Sequence, residues 1–216
     1  MRKTYSYIGN LADFLINNEQ RIKNLMLEYE IQSKIDTLPD GRDVKSLLFT
    51  KHNVSVRFTP VRIDFTYAYT RPDSVDDSFA AAKNFFNLFS EIFYDILGHR
   101  IAIVSQSFIK NNNDEAIHEF TQKMGFQSAF GTCNELNFKI NCPKTLFEPI
   151  NSVINIDMGE AKNNKTQEKM KVLLVSIDVN TLASNQRPRF NPSDFDLDFK
   201  ELLEEVQVQE NKLALY

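Results

Sequence analysis

Glu160-Ala161-Lys162 has the spacing of half a metal-dependent nuclease centre, in which a carboxylate holds Mg²⁺ and a lysine steadies the attacking water. The other half is a second acid on a neighbouring strand. Asp157 lies only three residues earlier, and on an extended chain Asp157 and Glu160 point to opposite faces. The surrounding run from Lys162 to Lys169 is rich in Lys and Asn and reads as a solvated hairpin tip. Asp157, Glu160 and Lys162 therefore stand as the alternative metal-dependent site. The leading expectation has no metal, no cofactor and no catalytic residue.

Arg57, Arg62 and Arg71 form a second set, with Tyr67 and Tyr69 nearby. A sheet face carrying arginines and exposed aromatics could stack and neutralise single-stranded nucleic acid. Arg57 and Arg62 fall on the polar phases of their strands and the two tyrosines on the opposite phase. The opposing fact is Asp64, which lies between the arginines and would pair with one of them. The net charge of −4 adds to the case against a nucleic-acid partner.

The remaining nucleophiles and ligands fall in no chemical pattern. His52, His99 and His118 lack the His-x-x-His and His-Glu-x-x-His spacings. Cys133 and Cys142 stand too far apart for a zinc knuckle and read as thiols of a reducing compartment. Ser105 and Ser107 alternate on a strand and lack a Gly-x-Ser-x-Gly setting. Glycine, needed where a backbone closes on a phosphate, occurs only 6 times, which weakens any nucleotide-binding reading.

The elements that must position these residues are clearer than the chemistry. Val75, Phe79, Ala82, Phe86, Phe89, Phe93 and Ile96 repeat at helical spacing, and Ala81, Phe85, Leu88 and Ile92 form a second stripe beside them. This predicts a long central helix over 75–97, capped by Asp73 or Ser74 and closed by Gly98. Leu11, Leu15, Ile22, Leu25 and Tyr29 predict an N-terminal helix running from Asn10 to Ile35. Phe195, Phe199, Leu202, Val206 and Leu213 predict a C-terminal one, with Glu201, Glu204 and Glu205 on its outer face.

Period-2 alternation predicts strands at 54–58 and 61–69 around Pro60, at 100–109, about 136–140 and 153–156, and at 170–179. Residues 42–53 read as a loop or a short strand about Leu47–Phe49, and 115–124 as a short helix closed by Gly125. The fold class is α+β: an antiparallel or mixed sheet packed by a long central helix, with N- and C-terminal helices. Residues 1–216 read as a single domain without internal repeats, in which the helix within 1–40 also serves subunit or partner contacts.

The strand at 61–69, the aromatic helix, the strand Arg100-Ile-Ala-Ile-Val104 and the late strand Leu173-Leu-Val-Ser-Ile-Asp-Val179 resemble a sporadically distributed family of uncharacterised prokaryotic proteins. Their layout also resembles the sheet-plus-helix arrangement of SecB-like chaperones. That resemblance implies binding of unfolded segments without catalysis, and it carries over no functional residue.

Eighteen phenylalanines, amphipathic terminal helices and no active-site pattern favour a non-catalytic protein-interaction module. It would be a chaperone-like binder or a subunit of a bacterial or phage multi-protein system, one concerned with defence among them. Its expected partner is a protein or a second copy of itself. The apolar stretches are too short to span a bilayer, and residues 1–20 show no signal-peptide core, so the expected location is cytoplasmic.

Overall fold

The computed structural model describes residues 1–37, 41, 43–69, 75–94, 96–111, 114–125, 135–162 and 167–213. Ten antiparallel strands form one sheet: β1 (Arg2–Ile8), β2 (Glu30–Thr37), β3 (Asp43–Lys51), β4 (Val54–Thr59), β5 (Arg62–Ala68), β6 (Arg100–Lys110), β7 (Asn137–Asn141), β8 (Lys144–Thr145), β9 (Pro149–Lys162) and β10 (Lys169–Thr181). The spatial order is β2-β3-β4-β5-β1-β6-β10-β9-β7, and β8 pairs with β9. Pro60 sits in the tight turn between β4 and β5, where its missing N–H costs no ladder bond. The strand β10 is interior, between β6 and β9, which suits its apolar centre.

Among the described residues four α-helices accompany the sheet: α1 (Ala12–Leu25), α2 (Val75–Ile92), α3 (Glu115–Lys123) and α4 (Phe195–Lys212). All four pack on one face. Phe85 and Phe89 of α2 meet Phe65 and Phe58 of the sheet, and Phe14 of α1 meets Phe89 and Phe93. Phe120 of α3 meets Phe138, whose register partner Ile156 is fully buried. Tyr5 and Tyr7 of β1 pack against Phe86, Phe195 and Phe199, with Phe195 and Phe199 both on α4. Each buried aromatic contributes about 1.5–3 kcal/mol of transfer free energy, so this cluster is the energetic centre. The 18-residue helices α2 and α4 share it.

The other face of the sheet carries no helix among the described residues. Many of its side chains are polar and bond across strands: Arg2 to Gln106, Thr4 to Thr66, Ser6 to Asp64, Arg100 to Asn180, and Asn141 to Asn151, while Phe108 and its register partner Leu174 are apolar there.

The chain runs twice through one plan. Its first half is β1, α1, β2 to β5, then α2; its second is β6, α3, β7 to β10, then α4. In the sheet these become β1-β5-β4-β3-β2 on one side and β6-β10-β9-β7 on the other. The strands β7 and β8 follow β9 in a common register, so together they match β3. Then β1 and β6 meet antiparallel with Tyr5 opposite Ile103, placing an approximate two-fold axis at the seam. This repetition lies in topology; the two halves fill it with different residues.

Three sequence expectations are corrected. Residues 1–37 hold a strand, a 14-residue helix and a second strand, because Ile31 and Ile35 are spaced for either state and Tyr5 and Tyr7 alternate on β1. The described part of 42–53 is a full strand, Asp43–Lys51, and a turn, with His52 at φ 51°. The helix α2 ends at Ile92; Phe93 and Ile96 are buried beyond it, and Gly98 bridges to Phe190.

Candidate functional site

Arg57 and Arg62 come together as the sequence places them, on the polar face of β4 and β5. They line a hollow of about 610 Å³ with Asn10, Ala12, Val44, Thr59, Pro60 and Val61. A second hollow of about 450 Å³ adjoins it through Ala12, Val44 and Pro60, and adds Leu15, Ile16 and Glu19 of α1 with Asp43 and Lys45 of β3. The β4–β5 turn is fixed there because Gly9 N–H donates to Val61 O (2.9 Å) and Leu11 N–H to Pro60 O (2.7 Å). A Cβ on Gly9 would meet Leu97 O at 3.1 Å, a tight approach that a larger residue could take only if the neighbouring backbone shifted by a few tenths of an ångström.

Charge at this corner is uneven. Asp64 is almost fully buried; it accepts from Ser6 Oγ (2.6 Å) and pairs with Arg62 Nε (2.8 Å). Arg57 stands opposite Asp64 in register, is exposed, and makes no hydrogen bond or ion pair with the described residues. Lys45 pairs with Glu19 (2.5 Å), which Lys23 also holds, and these bonds keep the Glu19 carboxyl below its usual range. Among the described residues no partner neutralises Arg57, an exposed cation beside an apolar floor.

The apolar surface continues onto β2. Ile31 and Ile35 lie on the helix side of the sheet, in register with Phe49 and Lys45, yet Ile35 is 63% exposed. The helix α1 sits over β4 and stops short of them, and its own Ile16 is 73% exposed. Ion pairs Lys45–Glu19 and Lys51–Glu28 mark where the helix layer ends.

Other sequence candidates separate. Tyr67 and Tyr69 lie on the helix side, so they cannot stack a ligand beside Arg57; burial raises the Tyr69 hydroxyl pKa, with Glu210 and Tyr5 adding to it. Arg71 and Cys133 lie outside the described residues. Asp157 and Glu160 take opposite faces of β9, and Glu160 is held by Lys169 (2.9 Å), while exposed Lys162 faces Lys169 in register. Cys142 is a free thiol. Among the described residues no three His, Cys, Asp or Glu side chains are grouped to hold a metal ion. His99 lies in the link after α2 rather than on its last turn, and burial, Arg189 and Arg100 lower its pKa.

Sequence reasoning missed the buried polar groups beneath α4. Lys3 Nζ pairs with Glu210 (2.6 Å), and Ser105 Oγ donates to the same oxygen (2.5 Å), all fully or nearly fully buried. Burial pulls the Lys3 ammonium below the usual lysine range, with Glu210 opposing it. Glu205 faces inward, bonded to Lys144 (2.6 Å), Ser152 (2.9 Å) and Gln209 (2.6 Å). Burial alone would raise its pKa, but those bonds outweigh it and hold the carboxyl low. Glu205 lies three residues after Leu202 and Glu210 four after Val206, which puts both on the inner side of α4, so Glu205 is not on the outer face expected from the sequence. Their type argues for the outside, and their spacing was the available signal.

At the start of α4, Arg189 grips Glu148 through two bonds (2.9 and 2.6 Å) and lies over the Phe190 ring. Nearby, Asp198 Oδ2 is buried without a hydrogen-bond partner among the described residues. Burial, Asp194 and Glu148 push its carboxyl up to about 7, with Arg189 opposing them. These groups fasten the 182–191 loop to the helix layer and line neither hollow.

No helix of the described chain is long and apolar enough to cross a membrane. The chain matches no protein-family model, no curated protein and no solved structure.

Proposed function

We propose that this protein is a non-catalytic interaction protein that holds an apolar segment of a protein partner in the hollow beside α1, in the manner of a chaperone or as a subunit of a larger assembly. The observation that carries this reading is the joined pair of hollows: an apolar floor of Ala12, Leu15, Val44, Pro60 and Val61 with the exposed cation Arg57 at its rim. An apolar floor supplies affinity and a single polar group orients the ligand. A segment with one carboxylate among apolar residues meets both. The sheet with helices on one face supports the chaperone-like layout as well.

The test is binding of a fluorescently labelled, permanently unfolded polypeptide, followed by anisotropy. Ile16→Lys and Val61→Asp place charges on the floor and rim and are expected to weaken binding at least about tenfold, while Arg57→Ala weakens it severalfold for acidic segments only. Absence of binding by the native protein, or binding indifferent to all three changes, overturns the reading.

A further inference from the structure

The two outer edges of the sheet are built differently. At one, β7 is short and the chain turns through Cys142-Pro143 before β8, so proline and a bend blunt the edge. At the other, β2 runs eight residues without proline or bulge, paired to β3 from Glu30↔Thr50 to Thr37↔Asp43. All its residues but Asp36 are exposed. Among the described residues no strand pairs with its outer side, so its outward backbone donors and acceptors are a template for one more strand.

The sequence of β2 selects its occupant. Glu30, Gln32, Lys34 and Asp36 share the polar face, and Ile31, Ser33 and Ile35 the helix face. Consider two copies meeting antiparallel about a two-fold axis with all helices on one side. Centring the pair on Lys34 sets Lys34 against Lys34. Centring it on Ser33 sets Glu30 against Asp36 twice. Centring it on Gln32 sets Glu30 against Lys34 twice and Gln32 against Gln32, with Ile31 diagonal to the Ile31 and Ile35 of the other copy. Opposite charges directly across a sheet stabilise it and like charges destabilise it. Of these three, only the Gln32-centred register satisfies both faces; centring on Ile35 also opposes unlike charges, Lys34 against Asp36, but leaves Glu30 outside the paired span, so a change at Glu30 tells the two apart.

We infer that β2 is a self-association edge. Two copies of this chain pair β2 to β2 in that register, join their sheets into one, and cover Ile31 and Ile35 with each other. The molecule already uses the same device at its seam, where β1 meets β6 antiparallel about an axis near Tyr5 and Ile103. In the free chain Lys34 pairs with its neighbour Asp36 (2.6 Å), the lysine exposed and the carboxylate partly so, and this bond is readily exchanged for Glu30 of the other copy. The interface is isologous, hence closed at two copies. It involves β2 rather than the hollow, so it stands apart from the function proposed above.

Analytical ultracentrifugation of the full-length protein tests it, with circular dichroism confirming that each variant is folded. The native chain is expected to be a dimer. Lys34→Glu sets Glu against Glu at both pairs, and Glu30→Lys sets Lys against Lys; each alone is expected to raise the dissociation constant at least about tenfold. Mixed one to one, the two variants present Glu against Lys at both pairs and are expected to form a heterodimer. The double variant Glu30→Lys/Lys34→Glu is expected to regain the homodimer. A monomeric native chain, or a dimer that ignores these charges, overturns the inference. A monomer that still binds the unfolded probe leaves the proposed function intact.

Discussion

The seam between β1 and β6 and the free edge of β2 are the same kind of structure under opposite treatment. At the seam, each strand edge is paired and then roofed by α2 and α4, whose rings close over Tyr5 and Tyr7. The roof is so complete that Lys3 has 0% exposure and must carry its counterion, Glu210, with it. At β2 the helix layer has ended, and two isoleucines face solvent. The contrast teaches where free energy and where recognition reside. Burial without remainder fixes the fold at the centre, whereas an edge left half-covered keeps apolar area in reserve for a partner.

The largest expected effect tests the seam. Glu210→Ala leaves the Lys3 ammonium buried and unpaired, which typically costs about 3–5 kcal/mol. The pair Lys3→Met/Glu210→Leu removes both charges and is expected to return to within about 1 kcal/mol of the native chain, read by urea denaturation. A loss under about 1 kcal/mol for the single change would show that the seam does not depend on this ion pair. Phe86→Ala is expected to follow closely, at about 3–5 kcal/mol, since Phe86 touches rings from β1, β5, α2 and α4 at once.

This division explains what the sequence revealed. The α+β class and most strands and helices were legible, because Val54–Phe58, Ile101–Ile109 and the phenylalanines of α2 keep a clean period. The strand β1 was hidden by Lys3, a charged residue on the apolar phase whose partner comes from the far end of the chain. The strand β2 was hidden because it buries almost nothing, so Ile31 and Ile35 continued the phase of α1. The two-fold plan was illegible: strand order and register repeat while residues do not. Of the candidate site, Arg57 and Arg62 were readable as a polar phase; the floor beneath them was not, since Ala12, Val44 and Pro60 meet only through long-range pairing.

A smaller effect probes the roof where it is least well satisfied. Folding raises the Asp198 carboxyl from 3.8 to about 7, so the native state favours its protonated form. The group therefore costs nothing below its unfolded pKa, and stability falls as pH rises from about 4 to about 7, then levels off. Asp198→Asn removes that cost. After allowance for its partial exposure, the gain at pH 8 is expected to be about 1 kcal/mol, and near zero at pH 4. Thermal unfolding at both pH values checks it; an equal change at both would mean that Asp198 is already solvated or paired.

The smallest effect belongs to the bare edge, and its smallness is the point. In the Lys34→Glu background, which removes self-association, Ile35→Thr is expected to change stability by no more than about 0.5 kcal/mol, because the side chain leaves little water behind on folding and Thr suits a strand equally well. The same change at a covered position of the sheet, such as Ile103→Thr, should cost several times more, since it puts a hydroxyl into a fully buried site. If Ile35→Thr instead cost above about 1.5 kcal/mol in the monomer, β2 would be packed from within the chain, and the distinction between a sealed centre and an open edge would fail.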